Sequence, residues 1–160
     1  MKKLLLVTAM TCGICSLSIN AADSFEVEKF NRATELSANA VRNKNYDSAF
    51  EHLEVASKLG NKVSQFALAL LYMDGLGVEQ NYAQAYLWLN VAAEVKEKRW
   101  RKVRDQLHNS LSKEQVAVLK PLVSEYIKKY GAETQEISCS KRAVFNSHRK
   151  QMECSKNLTL

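Results

Sequence analysis

The chain is poor in the residues that interrupt regular secondary structure, since its 160 residues include one proline and five glycines. A fold of many short strands needs frequent turn residues, so this scarcity favours long helices. Charged residues make up 25% of the chain and apolar residues 46%, which excludes a disordered or collagen-like protein. The length allows one domain with a tail.

Cysteine is also scarce, with four in the chain, which excludes a disulfide-dense miniprotein. Two of the four lie within residues 1–21, a segment with a basic start, an apolar middle and small residues before its end. This is the pattern of a secretory signal peptide, and cleavage is expected after Ala21 or Ala22. The alternative is a retained membrane anchor, but the apolar run is short for a span of roughly 20 residues. The prediction is a periplasmic or secreted protein.

Several motifs that would indicate catalysis or a bound cofactor are missing. The sequence contains no Gly-x-Ser-x-Gly, no His-Glu-x-x-His and no Gly-x-x-x-x-Gly-Lys-Ser/Thr. His52, His108 and His148 have no nucleophile or metal ligand at a suitable spacing. We therefore expect no enzyme activity, no cofactor and no metal. The excess of basic over acidic residues is mild and does not predict nucleic-acid binding.

The chain does contain an internal repeat, because residues 45–56 and 81–92 match at a constant offset. The matching positions include Asn45/Asn81, Tyr46/Tyr82, Ala49/Ala85 and Ala56/Ala92. Their spacing places the apolar members on one face of a helix, and the asparagines precede it, where they can cap free N–H groups. A second helical pattern precedes each of these helices. The unit is thus a helix hairpin, and such hairpins bury their apolar faces by stacking on one another.

Residues 67–93 contain a pattern that consists of Tyr72, Gly75, Gly77, Val78, Ala85, Trp88, Ala92 and Ala93. This pattern resembles a Sel-1-like repeat, a branch of the tetratricopeptide-like helical repeats, although Asn81 stands where the family usually has Asp. The resemblance implies an all-α fold, a short α-solenoid of about three stacked antiparallel helix hairpins. Its expected parts within 22–131 are a divergent repeat at 27–60, a full repeat at 63–95 and a closing hairpin at 96–130.

Two local features of these hairpins have alternative interpretations. Gly75-Leu76-Gly77 could hold a phosphate, but it follows a helix and lacks a third glycine, so a tight turn between helices is favoured. Pro121 lies inside the last helical pattern and predicts a kink or a new helix there.

The stretch from Lys96 to Arg104 is densely basic. One interpretation is contact with phosphate, anionic lipid or an acidic partner. The other is a solvated helix face, which is favoured because the basic side chains spread around most of the helix circumference.

The tail, residues 132–160, is basic and contains Cys139 and Cys154, the pair that remains after signal cleavage. In an exported protein an even pair of cysteines predicts a disulfide. Free thiols, or a metal site with His148, are the alternatives, although three such ligands fall short of the usual four. The predicted architecture is therefore a helical stack with a disulfide-closed tail.

The family resemblance implies an adaptor or scaffold that binds a protein or peptide partner on its concave surface. Polar or aromatic positions of the first helices are the candidate contacts, namely Arg32, Glu35, Asn39, Gln65 and Tyr72. One alternative is an envelope-associated protein that contacts peptidoglycan or anionic lipid through its basic residues. A second is a cell-envelope hydrolase with a site assembled by the fold. Self-association is also expected to be feasible, since the stack is short.

Overall fold

The computed structural model describes residues 15–157, with side-chain surroundings from residue 23 onward. Residues 1–14 of the predicted signal peptide lie outside this range, and the first described residues belong to a helix. None of the helices among the described residues is both long enough and apolar enough to cross a bilayer.

Six helices form the body of the part of the chain that the structure describes. They are α1 (Cys15–Arg42), α2 (Tyr46–Lys58), α3 (Lys62–Asp74), α4 (Tyr82–Ala92), α5 (Lys98–Ser110) and α6 (Lys113–Tyr130), with a short 3₁₀ turn at Ala93–Val95 after α4. Consecutive helices from α1 to α4 pack against one another, so the first two hairpins stack as the repeat predicts. The predicted helical-repeat fold is confirmed.

Asparagine side chains start the helices of the repeat. The side-chain oxygen of Asn45 accepts from the Ser48 amide at 3.3 Å, and that of Asn81 accepts from the Gln84 amide at 3.0 Å. Asn61 caps α3 in the same way and is itself buried. Each cap satisfies an amide that the first turn of a helix leaves without a partner.

The core lies between the two helix layers and consists of the small and aromatic residues of the repeat. Ala49, Ala56, Ala85 and Ala92 are fully buried, which lets neighbouring helices approach closely. Larger side chains fill the remaining space, among them Phe66 of α3, whose ring stacks on Trp100 of α5 at 5.0 Å between centroids.

The third helix pair differs from the first two. Both α5 and α6 pack mainly against α4, and few close approaches join α5 to α6 themselves. Their connection is short, and Ser112 closes a capping box with Gln115 at the start of α6. The two helices therefore diverge across α4, and a space opens between them.

α6 is a single helix through Pro121, so of the two alternatives that the sequence left open, a kink or a new helix, the new helix does not form. Pro121 lies on the exposed side of α6. Water can therefore satisfy the carbonyl group that the missing N–H would have bonded.

The tail folds into a β-hairpin, which the sequence analysis did not predict. Its strands are β1 (Ile137–Ala143) and β2 (Lys150–Lys156), paired antiparallel. Cys139 and Cys154 lie directly opposite each other and form the predicted disulfide. The hairpin packs against α1 and α3, with Ile137 buried beside Phe30 of α1. A satellite core thus anchors the tail to the first helices.

Candidate functional site

The turn between α3 and α4 closes tightly over the start of α2. Gly75 and Gly77 both have left-handed backbone angles, with φ of +67° and +66°. A Cβ atom on Gly77 would lie 2.2 Å from the carbonyl oxygen of Tyr46, so only glycine permits this approach. Leu76 and Val78, on either side of Gly77, pack against the core. The turn therefore has a structural role and covers the first turn of α2.

The corresponding end of α4 has no such cover. Tyr82 occupies the repeat position of Tyr46, but the connection between α5 and α6 is only Leu111 and Ser112. Tyr82 remains 49% exposed, whereas Tyr46 is half-buried against the core. The difference arises because a connection this short cannot extend over α4 as the glycine turn extends over α2.

A cleft lies at this uncovered end, and we call it the Tyr82 cleft. It comprises two adjoining cavities of about 390 and 520 Å³ that share Tyr82, Leu111 and Gln115. The first extends towards α6 and the second towards α5. The remaining lining residues are Ala83, Glu114, Val118 and Leu119 in the first cavity, and Met73, Gln106, Leu107 and Ser110 in the second. The cleft thus combines an apolar floor with a few polar groups at its edges, which is the usual composition of a binding site.

A basic strip adjoins the cleft along α5. Lys98, Arg101 and Lys102 are exposed, and they line a shallow depression that also includes Gln106 of the Tyr82 cleft. Arg104, by contrast, pairs with Asp105 at 2.5 Å. Lys98, Arg101 and Lys102 therefore lie next to the cleft, with Gln106 shared between the depression and the cleft.

Beyond the cleft, aromatic residues pack α4 against α6. Trp88 contacts Tyr126 and Tyr130, with ring centroids 5.2 and 5.1 Å apart, and the Tyr126 hydroxyl donates to Gln84 Oε1 at 3.1 Å. This cluster holds α6 in place on α4.

Tyr72, one of the predicted partner contacts, lies beside this cluster. Its ring meets Phe50 of α2 edge-on, with centroids 5.5 Å apart. Burial raises the pKa of the Tyr72 hydroxyl, and the nearby charge of Glu54 adds to the rise. Tyr72 is half-buried and contributes mainly to packing.

A buried polar cluster joins α3, α4, α6 and the tail. Lys62 Nζ contacts Glu94 Oε2 at 2.5 Å and also donates to the carbonyl oxygens of Val91 and Tyr130, at the ends of α4 and α6. Glu94 Oε2 also accepts from the Ala132 amide at 3.0 Å. Desolvation lowers the pKa of Lys62, although the contact with Glu94 opposes that effect. The cation stabilises two helix C-termini from inside the protein.

Gln65 belongs to this cluster, and its predicted role as a partner contact is corrected. The side chain is 0% exposed, and its Nε2 donates to the carbonyl oxygens of Ser57 and Tyr130, each at 2.9 Å. A polar residue on a first helix can face outward or into the stack, and the sequence pattern alone does not distinguish these cases.

The three remaining predicted contacts lie on α1. Arg32 and Glu35 are exposed on α1, and Asn39, also on α1, is half-buried and accepts a hydrogen bond from Arg42. The tail hairpin packs against α1 and α3, and so lies against the helices on which the partner was expected. The sequence does not identify the cleft residues as contacts, because Tyr82 matches Tyr46 as a repeat position and nothing in the repeat pattern distinguishes the two. The signal in the sequence was the short connection at Leu111-Ser112, which has no glycine turn.

Within residues 15–157 no three histidine, cysteine or acidic side chains group in a way that could hold a metal ion. His108 Nδ1 lies 2.8 Å from the Tyr86 hydroxyl, and their rings stack, so this histidine supports α5 against α4.

Comparisons with known proteins agree with this architecture. The model of the Sel1 repeat matches residues 41–61 and 62–95, which contain α2 and the α3–α4 hairpin. Among solved structures, the chain is similar to a protective antigen present in uropathogenic Escherichia coli strains, which displays an SLR fold. The similarity has a TM-score of 0.57 and 25% sequence identity, and covers 81% of this chain and 28% of that protein. No curated protein sequence matches the chain significantly.

Proposed function

We propose that this Sel1-repeat protein is an exported scaffold that binds a protein or peptide partner in the Tyr82 cleft. Sel1 repeats typically serve as non-catalytic scaffolds for interactions between proteins. The observation that carries the proposal is the uncovered start of α4, where Tyr82 is 49% exposed above an apolar floor. Exposed aromatic residues beside apolar pockets are common anchors in protein interfaces.

Export is supported by three observations. Residues 1–21 have the pattern of a signal peptide, the tail contains a disulfide, and the structurally similar protein is described as a protective antigen. Mass spectrometry of the unreduced protein from its native host tests this part. We expect an N-terminus at Ala22 or Asp23 and a mass two hydrogens lower than that of the reduced chain, whereas an intact N-terminus with free thiols would contradict export.

Binding in the cleft is tested by affinity capture from a cell-envelope extract with matched variants. Tyr82→Ala and Val118→Lys alter exposed positions of the cleft and should both lose the partner. The matched control is Phe145→Ala, since Phe145 is 90% exposed and lies between the two strands of the tail hairpin. A partner retained equally by all three variants would contradict the proposal.

The basic strip favours a second candidate function, which is contact with peptidoglycan or anionic lipid. Lys98, Arg101 and Lys102 are exposed together and can attract an anionic surface. Cosedimentation with sacculi, or with vesicles containing anionic lipid, tests this candidate. Charge reversal at these three positions should abolish binding, and unchanged sedimentation would remove the candidate.

A further inference from the structure

We infer that the Tyr82 cleft receives an acidic, glycine-containing turn of another protein, built like residues 74–79 of this chain. The inference rests on the proposed function and identifies the chemistry of the partner at the same site. Its basis is that the protein already binds such a turn once, at the equivalent position of its preceding repeat.

The bound example is the turn between α3 and α4. Gly77 lies against the carbonyl group of Tyr46 and the amide of Asp47, and Leu76 and Val78 supply apolar side chains beside it. The repeat register carries Tyr46 and Asp47 onto Tyr82 and Ala83. Both of these residues line the 390 Å³ cavity. The cleft thus exposes the same helix start that the glycine turn covers one repeat earlier.

The turn of this same molecule cannot be the occupant. It is held on α2, and the Asn81 amide closes its base by donating to the Tyr72 carbonyl at 2.8 Å. The short α5–α6 connection supplies only Leu111 as an apolar side chain at the cleft. The remaining space therefore requires a turn from a different protein.

The apolar requirement follows from the lining of the cleft. Val118 and Leu119 of α6 and Tyr82 of α4 form the apolar floor, which suits aliphatic side chains such as Leu76 and Val78 of the intramolecular turn. A backbone that approaches the start of α4 as closely as Gly77 approaches α2 requires glycine at that point.

The expectation that the partner turn is acidic follows from the charged residues around the cleft. The intramolecular turn is flanked by Asp74 and Glu79, both exposed. At the cleft, the side towards α5 continues into the basic strip of Lys98, Arg101 and Lys102, whereas Glu114 lies on the side towards α6. The acidic flank of the partner turn should therefore face α5, where opposite charges attract.

The test uses the mature protein with its disulfide intact and a cyclic peptide that carries the sequence of residues 72–81. Binding of the labelled peptide is followed by fluorescence anisotropy at low and at moderate salt. We expect a Kd below about 1 mM, weakened at least about tenfold by Tyr82→Ala. Reversal at Arg101 and Lys102 should weaken binding several-fold and reduce its salt dependence.

Two control peptides separate the apolar and acidic requirements. A peptide with aspartate at the positions of Leu76 and Val78 should not bind. A peptide with amides in place of both acids should bind more weakly and with less dependence on salt. Phe145→Ala should leave binding unchanged. If Tyr82→Ala alters the circular dichroism spectrum, Val118→Asn, an uncharged change at a residue 67% exposed, decides the result.

The inference is overturned if the peptide does not bind at about 1 mM, or if it binds Tyr82→Ala and Val118→Asn as well as it binds the wild type. It is also overturned if the protein self-associates through Tyr82 and the peptide does not compete, since a second copy would then be the occupant. If capture of a partner is lost in Tyr82→Ala but the peptide does not displace that partner, only this inference is contradicted. If capture is unchanged in Tyr82→Ala, the proposed function is contradicted.

Discussion

Two glycines in the turn between α3 and α4 have the same backbone conformation and different surroundings. Gly75 ends α3, and a Cβ on it would first meet the Gln80 side chain at 3.4 Å, an ordinary contact. A Cβ on Gly77 would lie within 3 Å of three backbone atoms of Tyr46 and Asp47. A residue other than glycine would therefore be strained at both sites. Only at Gly77 would its side chain also clash with a neighbouring helix, α2.

We predict that Gly77→Ala destabilises the protein more than Gly75→Ala does. The change at Gly75 adds only left-handed strain, about 1 kcal/mol. The change at Gly77 adds a backbone clash and should cost more than about 2 kcal/mol. Urea unfolding of the two variants measures the difference, and equal losses would show that α2 does not constrain the turn.

The Lys62–Glu94 ion pair is a second feature in which a single residue affects the stability of the protein. Lys62 is fully buried and Glu94 only partly so, which makes the pair asymmetric. Removing the acid leaves a buried ammonium group without its counter-charge. Removing the lysine leaves a carboxylate that water can reach and that still accepts from Ala132.

We predict that Glu94→Ala costs about 3 kcal/mol and that Lys62→Met costs much less, because an unpaired buried charge is the larger penalty. The control is Glu54→Ala, which breaks the exposed pair of Glu54 with Lys58 and should cost less than about 1 kcal/mol. Chemical unfolding measures all three, and a greater loss for Lys62→Met would contradict the argument.

The Lys62–Glu94 pair also makes the free energy of unfolding depend on pH, and the direction of the Lys62 pKa shift gives the sign of that dependence. The pKa of Lys62 is lowered in the folded protein, and loss of Glu94 should lower it further. Between the folded and the unfolded pKa of the lysine, the unfolded chain binds more protons, so stability rises with pH. The deficit of Glu94→Ala should therefore shrink as pH rises from the folded pKa of Lys62 in the variant to its folded pKa in the wild type, and stay constant above that.

Among the elements, the tail hairpin depends most on a covalent bond. A two-stranded hairpin is marginal by itself in water, and this one is anchored to the helices mainly through Ile137 and the disulfide. Lys141 of β1 also pairs with Glu97, just before α5, at 2.6 Å. That contact lowers the pKa of Glu97, so it weakens as the carboxylate becomes protonated in acid.

We predict that replacing Cys139 and Cys154 together by serine releases the hairpin while the helical stack persists. The disulfide joins residues 15 positions apart, and closing a loop of this size contributes about 3 kcal/mol if chain entropy dominates. Hydrogen exchange should show lost protection across residues 137–156 and retained protection in α3 and α4. Unchanged protection of the hairpin would show that its packing alone suffices.

At the scale of the whole molecule, α4 is the helix that the other parts share. α3, α5 and α6 all pack against it, and its ends contribute to both the buried polar cluster and the Tyr82 cleft. The fluorescence of the two tryptophans monitors different contacts. Trp88 of α4 contacts α6, and Trp100 of α5 stacks on α3. A stack this short should unfold as one unit, because no hairpin buries its apolar face alone.

We predict that Trp88→Phe and Trp100→Phe each unfold in one transition. In each variant the remaining tryptophan fluorescence and the helical circular dichroism should follow the same urea curve. Different midpoints for the two probes within one variant would instead show that α5 or α6 separates before the repeat hairpins unfold.

Much of this protein could be read from its sequence. Asn45 and Asn81 mark helix starts, and both cap as the repeat predicts. The cysteine pair in a tail without other cysteines indicates the disulfide, and it forms. The partner contacts were harder to foresee, because a residue such as Gln65 is polar in sequence and yet fully buried by neighbours far along the chain.

The sequence by itself determined the helices, their caps, the glycine turn and the stacking of the repeats, because these depend on local conformation and on helical periodicity. Only the tertiary structure decided that α5 and α6 diverge across α4, that the tail packs against α1 and α3 as a hairpin, and that the start of α4 stays uncovered. Those features arise from contacts between distant segments. The start of α4 is uncovered because the α5–α6 connection is too short to reach it, and such a gap produces no periodic pattern in the sequence.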